Sequence, residues 1–303
     1  MTGWRDDLDG ELASDVARLD AALGVVLGHR DYVDALLDPR GHLFQRLEYV
    51  GDSLLDTAVL VALVAMQPWD EPSLAFLAVE QQALVSDHAL GRVAARRGLP
   101  DVRTFPVSVH RLGDRVEACI GAVWADLGIE QAMQVADRLV VRPGLHGQLL
   151  APAEPSLPAD LSGATAYEDA ARVCGHDPVA RSWYAAAAAG GAPRRRLAAV
   201  GDAVLEAACS TAQYVDDPQA SEALMSEERR AATSNAALAA RAHDLGLAGH
   251  HDGDGDRRSI ADEAQALVGA VALDGGVRAG LDVAAAVLGR RFAPGPVDHA
   301  LGA

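Results

Sequence analysis

The chain has 303 residues, half of them apolar, 4% aromatic and 23% charged, which is enough for a sizeable core and, at roughly 100–200 residues per domain, for two domains. Few aromatics and abundant Ala, Leu and Val disfavour a β-sandwich or barrel. The net charge of −17, from 43 acidic residues against 26 basic ones that are all Arg, points away from a protein that grips nucleic acid with a broad basic face.

Near the start, Trp4, Arg5, Asp6 and Asp7 give an acidic flank with no apolar secretory segment, and no run approaches the roughly 18 uninterrupted apolar residues of a membrane span. A cytoplasmic protein with no membrane partner is expected. Apolar residues at i, i+3, i+4 and i+7 predict amphipathic helices over 47–66, 74–97 and 116–140. Pro143, Pro152, Pro155 and Pro158, with Gly144 and Gly147, mark 143–158 as a linker. The alanines at 185–189, followed by Gly190 and Gly191, read as a helix with its stop signal. No segment alternates with period two, and the three cysteines, Cys119, Cys174 and Cys209, lack metal-ligand spacing, so reduced thiols are expected.

The two sides of the linker repeat one another. Arg46-Leu47-Glu48-Tyr49-Val50-Gly51-Asp52-Ser53-Leu54-Leu55 returns as Arg196-Leu197-Ala198-Ala199-Val200-Gly201-Asp202-Ala203-Val204-Leu205, and the stretch from Gly113 to Val123 returns from Ala261 to Val271. Between them, 84–90 matches 232–238. Three matched segments in one order mean a duplicated domain, with a first domain over 1–142 and a second over 159–303.

Four acids stand out on otherwise apolar helices. Glu48 and Asp52 are four residues apart, and Asp114 and Glu117 three, so each pair shares one helix face. Carboxylates gathered at the rim of a core repel one another unless a cation neutralises them, and all-oxygen ligation suits Mg²⁺ or Mn²⁺. Solvated helix faces are the plainer alternative for either pair alone.

Gln45-Arg46-Leu47-Glu48-Tyr49-Val50-Gly51-Asp52-Ser53 resembles the ribonuclease III signature, usually Glu-Arg-Leu-Glu-Phe-Leu-Gly-Asp-Ser. His29-Arg30-Asp31-Tyr32 is similar to that family's His-Arg-Ser-Tyr, and 114–122 to its Asp-x-x-Glu-Ala-Leu-Ile-Gly-Ala segment. The resemblance implies an all-α chain of two ribonuclease III-like domains that pair within one monomeric chain. It also implies a metal site made by Glu48, Asp52, Asp114 and Glu117, with Mg²⁺ or Mn²⁺ as cofactor, and hydrolysis of structured or double-stranded RNA. In the second half Asp202 and Asp262 remain, but Ala198 and Gln265 replace the other two acids and Arg195 stands where the signature begins with Glu. That site is read as degenerate, leaving one working site. Gln45 likewise replaces a supporting Glu.

Other features weigh less. Asp252, Asp254 and Asp256 have the spacing of a calcium loop but Arg257 occupies the turn position that needs Gly, so a polar loop is preferred, and His250 and His251 beside it are assigned nothing. The clusters Arg194-Arg195-Arg196, Arg229-Arg230 and Arg257-Arg258 fit either phosphate contacts or ion pairs with acids such as Glu227, Glu228 and Asp256. No segment after Phe292 is long enough for a double-stranded-RNA-binding domain, so weak RNA binding is expected. The alternatives to the nuclease are a small-molecule metalloenzyme on the same fold and a non-catalytic RNA-binding or scaffold protein.

Overall fold

The computed structural model describes residues 3–66, 74–99, 109–145, 163–247, 257–292 and 295–297. Among them there is no strand, and the expected all-α architecture is what forms. Up to residue 144 the helices are α1 (Gly10–Leu23), α2 (Arg30–Leu37), α3 (His42–Met66), α4 (Leu74–Val85), α5 (Asp87–Arg97), α6 (Val109–Leu127), α7 (Ile129–Ala136) and the single turn α8 (Arg142–Gly144). Beyond it lie α9 (Ala164–Val173), α10 (Arg181–Ala188), α11 (Gly191–Asp216), α12 (Glu222–Ala232), α13 (Asn235–Asp244) and α14 (Arg257–Val287). The proline-rich segment falls, from residue 146 on, outside the described residues, as does the loop holding His250, His251 and the three alternating aspartates.

Local chemistry sets the helix ends. The Asp9 carboxylate accepts from the Leu12 N–H at 2.8 Å, and Gly24 at φ 60° closes α1. Two expected helices are each divided. Ser86, extended at φ −61° and ψ 146°, separates α4 from α5. Gly128, at φ 93° and ψ 173°, ends α6 before α7 begins, a conformation that only glycine adopts without strain. Gly276 interrupts α14 in the same way, at φ 84° and ψ 169°. Among the described helices α3 alone is long and apolar enough to cross a membrane, and most of its apolar window is buried inside the protein.

Pairs of glycines let the long helices touch backbone to backbone. A Cβ on Gly51 of α3 would lie 1.8 Å from the Glu117 carbonyl oxygen of α6, and one on Gly121 would lie 2.0 Å from the Leu47 carbonyl oxygen. In the second half the same distances recur, from Gly201 to the Gln265 carbonyl oxygen and from Gly269 to that of Leu197. Around the first crossing Leu47, Val50, Leu54, Val116 and Ile120 are fully buried. Each contributes about 1.5–3 kcal/mol to holding the helices closed.

A buried aspartate tethers each half. The Asp126 carboxylate accepts from the Gly28 N–H at 2.5 Å and pairs with His29. Asp274 accepts from the Ala180 N–H at 2.6 Å, the Val179 N–H at 2.9 Å, the Tyr184 hydroxyl at 2.8 Å and His176 Nε2 at 3.0 Å. Several arginines are also core groups. Arg194, one of the sequence's clustered arginines, is buried and donates to the Ala187 and Ala188 carbonyls at 2.7 and 3.0 Å, closing the end of α10. Its Nη1 lies 3.4 Å from Glu263, whose burial pushes its carboxyl up to about 7 against the pull of the guanidinium. Arg196 is buried as well.

The chain forms two compact units that interleave the sequence halves. The first comprises 1–55, 82–148 and 294–303, and the second 56–81 and 149–293. Within the first, the Val297 N–H donates to the Ala125 carbonyl at 2.8 Å. Within the second, the Thr57 hydroxyl of α3 donates to the Ala203 carbonyl of α11 at 3.0 Å.

Asp274 yields a stability test. Burial alone would raise its pKa, but the bonds from the Val179 and Ala180 N–H groups, His176 and Tyr184 prevail and hold it below the usual carboxylate range. The stability it lends is therefore complete above the unfolded value near 3.9 and is lost as pH falls through the folded value. Asp274→Asn is expected to cost about 2–3 kcal/mol at pH 7 in urea unfolding, with less dependence on pH below about 4 than the parent shows.

Candidate metal centre

The crossing at Gly51 and Gly121 decides where the acids meet. Glu48 and Asp52 flank Gly51 on α3, and Glu117 is the residue whose carbonyl Gly51 touches. Asp114 lies one turn earlier on α6. All four are half-buried, at the edge of the apolar contact. One carboxylate oxygen from each of Glu48, Asp114 and Glu117 lies within 4.8 Å of the other two. Asp52 is not one of these three, but its charge acts on Glu117 more strongly than that of Glu48 or Asp114.

The electrostatics fit a cation. Burial, followed by the charges of Asp52, Glu48, Asp114 and Asp87, pushes Glu117 up to about 9. Asp87, the first residue of α5, is an acid that the spacing of the motifs does not reveal. Its signal in the sequence was the matched segment 84–90, where it pairs with Asn235. Oxygen ligands of one octahedral Mg²⁺ at about 2.1 Å are at most about 4.2 Å apart, so a group within 4.8 Å closes on an ion with small side-chain movements. A cleft of about 170 Å³, lined by Pro39, Phe44, Gln45, Glu48 and Asp114, opens beside the cluster.

The corresponding residues of the second half form a different site. Asp202 and Asp262 line one cleft of about 340 Å³ with Arg195, Ala198, Asn235 and Gln265. The Gln265 amide donates to Asp202 at 2.7 Å. Burial raises the Asp202 pKa, with that bond opposing. Of the sequence's arginine clusters, Arg195 and Arg258 reach this cleft. Arg229 instead lies 3.8 Å from Glu206 and 3.4 Å from the Ser210 hydroxyl.

Comparison with known proteins gives the fold its place. The Ribonuclease III domain family model matches residues 195–276, a stretch within the half that lacks two of the four acids. The chain is 37% identical over 106 residues to Ribonuclease 3 of Leifsonia xyli subsp. xyli, covering 32% of this chain and 44% of that protein. It is 32% identical over 141 residues to Ribonuclease 3 of Myxococcus xanthus, covering 43% and 53%. It thus spans about half the length of such curated relatives. The crystal structure of Dicer from Giardia intestinalis superposes with a TM-score of 0.59 at 15% identity, over 84% of this chain and 56% of that one. At such identity the likeness is one of fold.

The closeness of the crossing sets a stability test. Gly51→Ala must drive α3 from α6 and is expected to cost about 3 kcal/mol or more. Gly41→Ala, where a Cβ meets nothing within 4 Å, is expected to change urea stability by less than about 0.5 kcal/mol. By calorimetry with Mn²⁺, Glu48→Ala and Glu117→Gln are each expected to weaken binding at least about tenfold. Glu117→Gln also removes a buried acid from among four others, so in chelator its Tm is expected to rise by about 2–4 °C.

Proposed function

We propose that the chain is a divalent-metal-dependent endoribonuclease-like hydrolase acting on structured or double-stranded RNA, with one working site, in the first half. The observation that carries this reading is the convergence of Glu48, Asp114 and Glu117 within 4.8 Å, with Asp52 beside them. The similarity of residues 195–276 to the ribonuclease III domain supports the reaction class.

In this reading Glu48, Asp114 and Glu117 would hold Mg²⁺ or Mn²⁺, and Asp52 would add its negative charge to the site. When bound, the cation would lower the pKa of a water so that hydroxide is available to attack phosphorus, and would neutralise charge on the leaving oxygen. The carboxylates fix its position at the cleft edge, and Gln45, in the same cleft, offers an amide that can donate to a phosphodiester oxygen. Ala198 and Gln265 leave the second half without a comparable ligand set. We read the chain as two copies of one domain, 1–142 and 159–303, paired within a monomer. Support comes from the sequence repeat and from the recurrence of the glycine crossings, the tethering aspartates and the breaks at Gly128 and Gly276.

A single site beside one strand predicts nicking. Duplex RNA labelled on each strand in turn is expected to give one cut per binding event in Mg²⁺, with 5′-phosphate and 3′-hydroxyl ends, and Glu117→Gln is expected to give none. Simultaneous cleavage of both strands would overturn the single site. Absence of cleavage of any RNA with Mg²⁺ or Mn²⁺ would shift the reading to a small-molecule metalloenzyme.

A further inference from the structure

The helix that follows the long motif helix differs between the two halves in what it shows to solvent. By the register in which 84–90 matches 232–238, α4 corresponds to α12, and the two helices begin at the same point of the repeat, Leu74 against Glu222. Each buries one position, and it is the same one, Leu77 in α4 and Met225 in α12. The outward positions then diverge. α12 carries Glu222, Glu227, Glu228, Arg229 and Arg230, whereas Glu80 is the only charged residue of α4. Leu74, Ala75, Ala78 and Val79, neighbours along one stripe of α4, stand in register with Glu222, Ala223, Ser226 and Glu227. All four are exposed, Val79 at 64%. A helix apolar on nearly every side is ordinarily a buried one, and an exposed apolar face of this kind marks an interaction site.

Beside this stripe runs a groove of about 320 Å³, formed within the second unit by α3, α4 and α11 and lined by Leu60, Leu74 and Ala78 together with Asp56, Asp202 and Glu206. Burial raises the pKa of each of the three acids. Among the described residues, the chain sets against them two amides, Gln81 on Asp56 at 2.8 Å and Gln265 on Asp202 at 2.7 Å, and one cation, Arg229, 3.8 Å from Glu206. The groove thus joins an apolar wall to a surplus of negative charge. We propose that α4 and this groove dock an amphipathic basic helix of another protein, its apolar face on Leu74, Ala75, Ala78 and Val79 and its Lys or Arg side chains on Asp56, Asp202 and Glu206. The inference stands apart from the RNA reading. Residues three and four apart along α4 form ridges that a partner helix can pack between, with the alanines leaving room for close approach. Cations from that partner offset the cost of holding carboxylates out of water. A second copy of the chain fits less well, because a twofold contact would set these acids against their own copies in a molecule of net charge −17.

The probe is a fluorescently labelled peptide repeating Leu-Lys-Lys-Leu-Leu-Lys-Leu, which gathers its leucines on one face as a helix, beside a peptide of the same residues reordered to scatter them. By anisotropy with the full chain, the ordered peptide is expected to bind at least about tenfold more tightly than the reordered one. Leu74→Glu/Val79→Glu gives α4 the residues that α12 carries in register. It is expected to weaken the ordered peptide at least about tenfold, although its two added charges would tighten an attachment made by charge alone. Asp56→Asn/Glu206→Gln is expected to weaken it about threefold or more and to flatten its dependence on salt. Circular dichroism and first-half Mn²⁺ binding are expected to match the parent in both variants, and the comparison of the two peptides on the parent needs no variant. No binding of either peptide, equal affinity for the two, or tighter binding by Leu74→Glu/Val79→Glu would overturn the proposal. So would a parent that sediments as a dimer beside a monomeric Leu74→Glu/Val79→Glu, since the face would then belong to a second copy.

Discussion

Everything at the first site depends on two helices whose backbones touch. With Gly51 against the Glu117 carbonyl and Gly121 against that of Leu47, α3 and α6 approach more closely than any side chain would permit. Acids on two separate helices therefore share a few ångströms of space. The apolar residues around the crossing supply the energy. Leu47, Val50, Leu54 and Ile120 are fully buried, and at about 1.5–3 kcal/mol each they outweigh the repulsion that closure imposes on the acids. Function and stability pull in opposite directions at this point, and the core prevails.

The two halves resolve the same electrostatic problem differently. In the first, the acids remain, and Glu117 is pushed up to about 9 by burial and by its neighbours. Such a site is poorly satisfied until a cation enters, which is what a binding site for a hard divalent ion requires. In the second, the repulsion is removed within the chain. Ala198 deletes one acid, Asn235 and Gln265 neutralise two more positions, and Gln265 turns its amide onto Asp202. The crossing glycines are unchanged between the halves, so the difference lies in rim chemistry rather than in backbone geometry.

Much of this was legible in the sequence. The repeat register, the helical class and the four first-half acids follow from periodicity and motif, because the apolar spacing that builds the crossing also aims Glu48, Asp52, Asp114 and Glu117 at its edge. The breaks at Ser86 and Gly128 were not, since both sides of each break bury an apolar face and the pattern runs on through them. Asp87 escaped notice because it reaches the site from the first residue of α5, with no partner three or four positions away on its own helix. The arginine cluster at 194–196 divides for a related reason: adjacent positions on a helix point about 100° apart, and Arg195 meets the cleft while Arg194 and Arg196 on either side of it are buried. The compact units do not coincide with the sequence halves, since α3 runs through Leu55 and Asp56 without interruption and has its 56–66 part in the second unit.

The stretch similar to the ribonuclease III domain, 195–276, shows how fold and chemistry separate in such a chain. It contains Gly201, Gly269 and Asp274, which set a crossing and a tether, yet it lacks two of the acids that would hold a metal. The residues that let backbones meet and loops be fixed are thus separate from those that carry the charge at the rim. The acids of the first half and their counterparts in the second sit at the rim, where charge can change without disturbing the crossing, since none of them fills it. A domain built this way can be copied and then diverge at the rim alone. One copy can retain a carboxylate cage for a cation while the other carries guanidiniums and amides, with the same helices supporting both.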